Sequence, residues 1–243
     1  MPIAIQEDLL SGSSWFEKFQ HARDLGAQGV EVWGADLTDR VPEILVAMEE
    51  TGLRVAAIDH GHQRDLLDPD PDERERALKQ LRESITNAVD LDAAGVVFVP
   101  TFGESVYPDL SPWMSAPELE VEMLYMHLRT LSDFSYAIGT SLFIEPIRRS
   151  ETHLLNRLEQ AARITRRLNH PRVQIAADLA AMALEESDIP AALLAHSDCI
   201  QHVHAAESVD LPAAAAALRE IGYQGWITFT DGDLYALRQA GFS

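Results

Sequence analysis

The sequence predicts a single parallel (β/α)8 barrel, and three observations carry that expectation. Short apolar runs alternate with amphipathic stretches eight times along 243 residues. No linker, repeat or low-complexity break interrupts the alternation. Several apolar runs end on a carboxylate or an imidazole, where such barrels carry their chemistry. The length suits one domain spanning residues 1–243. An open doubly wound sheet is the competing fold. Eight strands would be wide for it, and no glycine-rich phosphate turn follows the first strand.

The elements follow in order. Residues 2–6 read as the first strand. Ser14 and Glu17 form a capping-box pattern opening a helix that runs to Leu25 and stops at Gly26. The second strand covers Gly29–Trp33, closed by Gly34. A helix over 42–51 ends at Gly52, and residues 53–58 form the third strand, leading into Asp59-His60-Gly61-His62. An acidic loop over 65–72 precedes a long helix with Leu78, Leu81, Ile85 and Val89 on one stripe. Acids at that helix start are favoured by its dipole. Residues 95–100 form the fourth strand. The loop over 101–117 is long and carries Phe102, Tyr107 and Trp113, which suits a lid. The next helix shows Leu124, Leu128 and Leu131. Residues 142–144 form the fifth strand, with Glu145 at its end and Pro146 closing it. A helix is expected from near Thr152, with Leu154, Leu158, Ala161 and Ile164 on one face. The sixth strand, 173–177, ends at Asp178, and 185–196 reads as helical. The seventh strand is 200–204, an alanine-rich helix covers 211–221, the eighth strand is 226–230, and a short final helix follows over 234–240.

Composition limits the function. Basic residues number 19 and acidic ones 39, so the formal charge is −20. That field repels phosphate backbones, which argues against a nucleic-acid partner. A small anionic substrate stays open if arginines overcome the field locally. Cys199 is the only cysteine, so no internal disulfide can form, and a reducing cytoplasm is the simplest setting. No charged-then-apolar leader or bilayer-length apolar run is present, so no membrane partner is expected. Self-association into a homo-oligomer stays open.

Strand-end side chains of a barrel share one mouth. Here they supply His60, His62, Glu145, Asp178, His202 and His204. Carboxylates and imidazoles are suitable ligands for Mn²⁺, Co²⁺, Mg²⁺ or Zn²⁺. Glu145, Asp178 and His204 stand on three consecutive strands and can converge without strain. Period-two geometry puts His202 and His204 on one face, one layer apart. The plainer alternative is a set of satisfied polar residues in the barrel's upper layer. Arg148 and Arg149 read either as an anion clamp or as surface arginines paired with acids. Trp113 and Phe102 read as a sugar-stacking wall or as ordinary lid packing.

Four motifs carry a family resemblance: residues 145–156 (EPIRRSETHLLN), Leu67-Leu-Asp-Pro, His202-Val-His204 and Gly222-Tyr-Gln-Gly-Trp. They resemble the sugar-phosphate isomerase/epimerase family, the xylose-isomerase-like TIM barrels that include ketose 3-epimerases and hydroxypyruvate isomerases. The likeness runs from the second strand to Gly225, and the fifth-strand motif is its most specific part. It implies a divalent ion on Glu145, Asp178 and His204, with Glu145 as a base. Glu151 matches a glutamate that contacts the substrate's hydroxyl end. The implied substrate is a small ketose or keto-acid sugar, and the strand-end and loop readings above add Arg148, His60, His62, His202 and Trp113 as its expected surroundings.

The chain departs from that pattern at four places. Thr230 stands where a glutamate provides the fourth ligand, Ala181 replaces a histidine, Asp210 replaces an arginine, and the loop over 208–212 is shortened. The family's reaction resembles a two-base proton transfer, and a threonine hydroxyl does not titrate usefully near neutral pH. Three ligands hold a metal less tightly than four, so the metal is expected to be weak or absent. Strict alternation aims Asp231 away from the mouth unless a bulge turns it inward. The expected function is a metal-assisted isomerase or epimerase, with a carbohydrate-binding barrel without turnover and a one-base dehydratase or lyase as the alternatives. The DNA-repair branch of the superfamily fits poorly, because its multi-zinc site needs more strand-end histidines and the charge opposes DNA.

Overall fold

The computed structural model describes residues 1–63 and 65–232. Its strands are β1 (Ile3–Gln6), β2 (Gly29–Trp33), β3 (Arg54–Asp59), β4 (Val96–Phe98), β5 (Leu142–Ile144), β6 (Val173–Asp178), β7 (Ile200–Ala206) and β8 (Trp226–Asp231). They pair in parallel, in sequence order, and β8 returns to β1 to close the barrel. The helices are α1 (Trp15–Asp24), α2 (Leu37–Thr51), α3 (Pro71–Asp90), α4 (Ala116–Ile138), α5 (Leu158–Leu168), α6 (Leu179–Glu185), α7 (Ile189–Ala195) and α8 (Leu211–Glu220). The (β/α)8 expectation is therefore met. The helix expected over 234–240 lies outside the described residues. Among those described, no helix is long and apolar enough to cross a membrane.

Period-two alternation divides each strand between two cores. Outward residues such as Val30, Val32, Val96, Phe98, Ile144 and Ile227 join Phe19, Ile44, Leu81, Leu124 and Leu131 of the helices in one buried layer. Inside the barrel the residues are fewer. Ala57, Val97, Phe143 and Ala176 form one cluster, and Ala4, Ala56 and Trp226 another. Small residues opposite two large rings fill the interior without a pore. The glycines that open β2 and precede β4 make that fit. A Cβ on Gly29 would lie 2.9 Å from the Trp226 ring, and one on Gly95 would lie 2.6 Å from Phe143.

Three register shifts break the alternation. Val30 pairs with Val55 and Val32 with Ile58, so β3 carries one extra residue. Ala176 pairs with His202 although Ile175 pairs with Ile200, which gives β7 an extra residue. Ala205 pairs with Phe229 and Ala206 with Asp231, which leaves Thr230 as the extra residue of β8. Each bulge moves the following residues to the opposite face.

Four helix expectations need correction. α2 begins at Leu37, five residues before Pro42, which is accommodated inside the helix. Val89 of α3 is 42% exposed, and Ala88 completes the buried stripe with Leu81 and Ile85. That follows from 3.6 residues per turn, since 88 lies nearer the face of 81 and 85 than 89 does. Residues 152–157 form a loop, and α5 starts only at Leu158. Asn156 Nδ2 donates to the carbonyls of Ile147 and Thr152, and Gln160 Oε1 accepts from the backbone of Asn156 and Arg157. These side-chain bonds compete with helical ones and win. The helix expected over 185–196 is shortened to α7, and α6, over Leu179–Glu185, is a further helix that was not expected. Glu186 leaves the helical conformation, and Asp188 starts α7 by accepting from Ala191 N.

The Gly222-Tyr-Gln-Gly-Trp motif has a structural reason. Gly222 ends α8 with φ of +67°, and Tyr223 Oη donates to the Trp226 carbonyl at 2.7 Å. A Cβ at Gly225 would stand 2.3 Å from Gln201 O and 2.4 Å from Tyr223 Oη. Neither atom can retreat easily. Gly225→Ala is therefore expected to destabilise the fold by about 1–3 kcal/mol, an overpacking cost, measured by urea denaturation.

Candidate active site

The centre of the barrel is organised by Glu31, a residue the sequence reading did not single out. It sits mid-strand on β2 with 0% exposure. A bare carboxylate there would be very costly, so it must be fully hydrogen-bonded. Its Oε1 meets His204 Nε2 at 2.8 Å, and its Oε2 meets His202 Nε2 at 2.7 Å. Thr228 Oγ1 donates to Oε2 at 2.6 Å. Burial alone would raise the Glu31 pKa, but His204 and His202 outweigh it and hold the carboxyl well below its usual range. The available signal was a lone carboxylate inside an otherwise apolar strand.

His202 is sealed beneath the mouth, contrary to its expected role as a substrate contact. It is wholly buried, bonded to Glu31, and stacked at 5.7 Å between centroids on Phe143. Burial lowers its pKa and favours the neutral ring. Its Nδ1 is buried without a partner.

His204 stands one layer higher, with β6 and β8 on either side. Its Cα partners are Asp178 and Thr228. Since Nε2 is engaged by Glu31, Nδ1 is the free face, and it lies 2.6 Å from Glu145 Oε1. The two atoms do not align as a hydrogen bond, and Glu145 Oε1 is buried with no donor. Burial disfavours a charged His204 ring, yet the Glu31 and Glu145 carboxylates raise its pKa well above the ordinary histidine value. Burial also raises the pKa of Glu145, opposed by His204 and reinforced by the charges of Asp178 and Glu31. Asp178 Oδ1 accepts from the backbone of Ala180 and Ala181 at the start of α6, and Oδ2 takes no part in that cap. The structure thus brings Glu145, Asp178 and His204 to one side of the mouth.

The bulge in β3 decides which of its last residues faces inward. Val55 and Ile58 join the outer core, while Ala56 and Ala57 both face the interior. Asp59 therefore points into the barrel. His60, expected at the substrate, turns the other way, against Ser84 Oγ of α3 at 2.9 Å and Gln63. Burial drops its pKa to about 4. Asp59 accepts from Gln6 Nε2 at 3.1 Å and from Gly61 N at 2.9 Å. Burial, then the charges of Glu145 and Glu31, pushes its pKa up to about 8. His62 is exposed at the rim and stacks on Phe102 at 3.8 Å between centroids.

The loops above β4 and β5 are joined. Gly103 bonds to the backbone of Glu151 and His153, and His153 Nε2 lies 2.7 Å from Glu120 Oε2 of α4. Arg148 Nε donates to Glu151 Oε2 at 2.8 Å in an exposed pair, and Arg149 is held by Glu185. Trp113 is 87% exposed at the far end of its loop. The structure gives that ring no contact with the residues of the mouth. Ala181 accordingly serves α6, and Asp210 caps α8 by accepting from Ala213 N.

Among the described residues one group of donors converges closely enough for a cation. Glu31, His202 and His204 offer ligand atoms within 4.8 Å of one another. That set is already spent on mutual hydrogen bonds and has no opening. Glu145 Oε1 and His204 Nδ1, 2.6 Å apart, border the mouth beside Asp178, the strand partner of His204. At β8 the bulge leaves Thr230 donating weakly to Ala205 O at 3.4 Å. Asp231 falls beside Ala206, on the face that also carries His202 and His204, so strict alternation does not hold at this strand end.

This arrangement has relatives. A curated 3-dehydro-D-guloside 4-epimerase from Escherichia coli (strain K12) is 28% identical over 240 residues, spanning 94% of this chain and 91% of its own. A ketose 3-epimerase from Arthrobacter globiformis is 32% identical over 108 residues, 41% of this chain and 37% of its own. The crystal structure of 3-keto-D-glucoside 4-epimerase from E. coli in its apo form superposes with a TM-score of 0.86 at 25% identity, over 99% of this chain and 97% of that one. D-psicose 3-epimerase of Clostridium cellulolyticum H10, solved with D-tagatose, shares the fold at a TM-score of 0.82 and 17% identity, over 98% and 89%. Residues 19–234 match the family described as "Xylose isomerase-like TIM barrel". The chain belongs to the xylose isomerase-like TIM barrel family.

Proposed function

We propose that the protein is a metal-assisted epimerase of a small keto sugar that works by proton transfer beside the carbonyl. The observation that carries this reading is Glu145 Oε1, buried without a donor and converging with His204 Nδ1 at the end of β5. A buried carboxylate oxygen held against an imidazole at a strand end, without an aligned hydrogen bond, needs a chemical reason. Glu145 supplies the base. It takes the proton from the carbon beside the carbonyl, the C–H electron pair becomes a C–C π bond, and the carbonyl pair moves to oxygen. Return of a proton to the opposite face gives the epimer, with no net change of composition.

Glu145, Asp178 and His204 would hold a divalent ion, and Mn²⁺, Co²⁺, Mg²⁺ and Zn²⁺ all suit that donor set. When bound, it would stabilise the negative charge that develops on the substrate oxygens. The chain's own part is orientation. Glu31 fixes His204 with Nε2 inward and Nδ1 toward Glu145, and the N-cap bonds of Asp178 fix its carboxylate. The full-length likeness to a named sugar epimerase supports the reaction class.

A neutral sugar suits the mouth better than a sugar phosphate. Arg148 is already paired with Glu151, and the chain carries a charge of −20. Glu151 and Arg148 stand beside the substrate's hydroxyl end in this reading. The rival, a binding barrel without turnover, draws on Thr230 in place of an acid.

Proton exchange separates the two. In deuterated water the wild-type protein is expected to incorporate deuterium beside the carbonyl of D-psicose or a methyl 3-keto-glucoside, read by NMR. Binding without incorporation would favour the rival. Glu145→Gln is expected to lower kcat by about 10²–10⁴-fold, the range for a lost general base. Glu31→Gln leaves every ligand in place, yet is expected to weaken Mn²⁺ binding by about 10–100-fold in calorimetry, through loss of His204 orientation.

A further inference from the structure

We propose that Asp59 is the second acid–base group of this site, acting on the substrate face opposite Glu145. This rests on the epimerase reading above, because only a proton transfer needs two such groups. A two-face transfer requires an acid that Thr230 cannot provide.

Three observations point to Asp59. The first is placement. In the closed strand order β3 stands across the barrel from β7 and two strands from β5, so Asp59 comes to the mouth from a different side than Glu145. Its inward direction comes from the β3 bulge. Glu145 and His204 are almost closed off, whereas Asp59 is half-buried. A bound sugar would therefore lie between them.

The second is fixation. Asp59 Oδ1 accepts from Gly61 N, and Oδ2 is bonded to the Gln6 amide. Both partners are neutral. An amide can present either its NH2 or its oxygen, so Gln6 can serve the charged and the protonated carboxyl alike. A group that changes protonation during turnover needs a partner of this kind.

The third is complementarity of charge state. Burial, with Glu145 and Glu31 nearby, moves Asp59 to about 8. Two neighbouring carboxyls that share a site divide into one acid and one base. Glu145 takes the proton from carbon, and Asp59 gives its own to the other face, ending as a carboxylate. Glu145 ends protonated, and exchange with solvent restores both. The reverse reaction exchanges the roles.

The rival position is Asp231, which the β8 bulge places on the inward register but at an exposed strand end. The test compares full-length Asp59→Asn and Asp231→Asn in deuterated water, with D-psicose and methyl 3-keto-glucoside as probes. Asp59→Asn is expected to abolish inversion while still incorporating deuterium at the carbon that Glu145 serves. Inversion at the wild-type rate by Asp59→Asn overturns the proposal. So does separation of exchange from inversion in Asp231→Asn alone, or loss of exchange and inversion together in a folded Asp59→Asn. A wild-type protein that neither exchanges nor inverts overturns the epimerase reading, and the role of Asp59 with it. Carbonyl NMR of labelled aspartate, with Asp59→Asn assigning the signal by its loss or a Gln6→Leu shift, reads the Asp59 protonation in unmodified protein. Titration near 8 is expected, and a midpoint in the ordinary carboxylate range overturns the proposal even if the variant fails to fold.

Discussion

One fully buried carboxylate governs this barrel. Glu31 gathers His204, His202 and Thr228 from two strands on the far side of β1, and every bond falls on its two oxygens. A charge in that position is tolerable only while all its partners stay in place. The geometry of the mouth inherits that rigidity. Because His204 spends Nε2 on Glu31, its Nδ1 can face only Glu145. The interior hydrogen-bond set thus determines which nitrogen the mouth receives.

Register shifts do the rest. A strict alternation would point the chain's strand-end histidine, His60, into the barrel and send Asp59 outward. The extra residue in β3 reverses this. The shift in β7 brings His202 level with Ala176, and the shift in β8 moves Asp231 to the side of Ala206. Bulges at the rims of barrels re-aim side chains at little cost to the sheet, because only one pairing is lost. Here they replace an imidazole by a carboxylic acid on the β3 side of the mouth.

The residues nearest the mouth carry two duties at once. Asp178 caps α6 with one oxygen, and the other takes no part in that cap. The loop after β5 is fastened to the loop after β4 through Gly103, and to α4 through His153 and Glu120. This gives a separate reason for several residues of the 145–156 motif. Glu145 serves the mouth, Glu151 pairs with Arg148, His153 ties the loop to α4, and Asn156 closes the turn before α5. The motif describes a loop fold as much as a chemical site.

The sequence by itself determined the barrel, its eight strands, and the residues Glu145, Asp178 and His204 at three neighbouring strand ends. Apolar runs with period-two or period-3.6 neighbours carry that information locally, and strand ends follow from them. The starts of α5 and α7 were not legible, because side-chain bonds from Asn156, Gln160 and Asp188 overrode the helical pattern. Glu31, Asp59 and the outward turn of His60 were decided only by tertiary structure. Each depends on a bulge or on a partner more than a hundred residues away, such as the 171-residue separation between Glu31 and His202. Local periodicity cannot report a register shift, since the extra residue is defined only by the strand it pairs with.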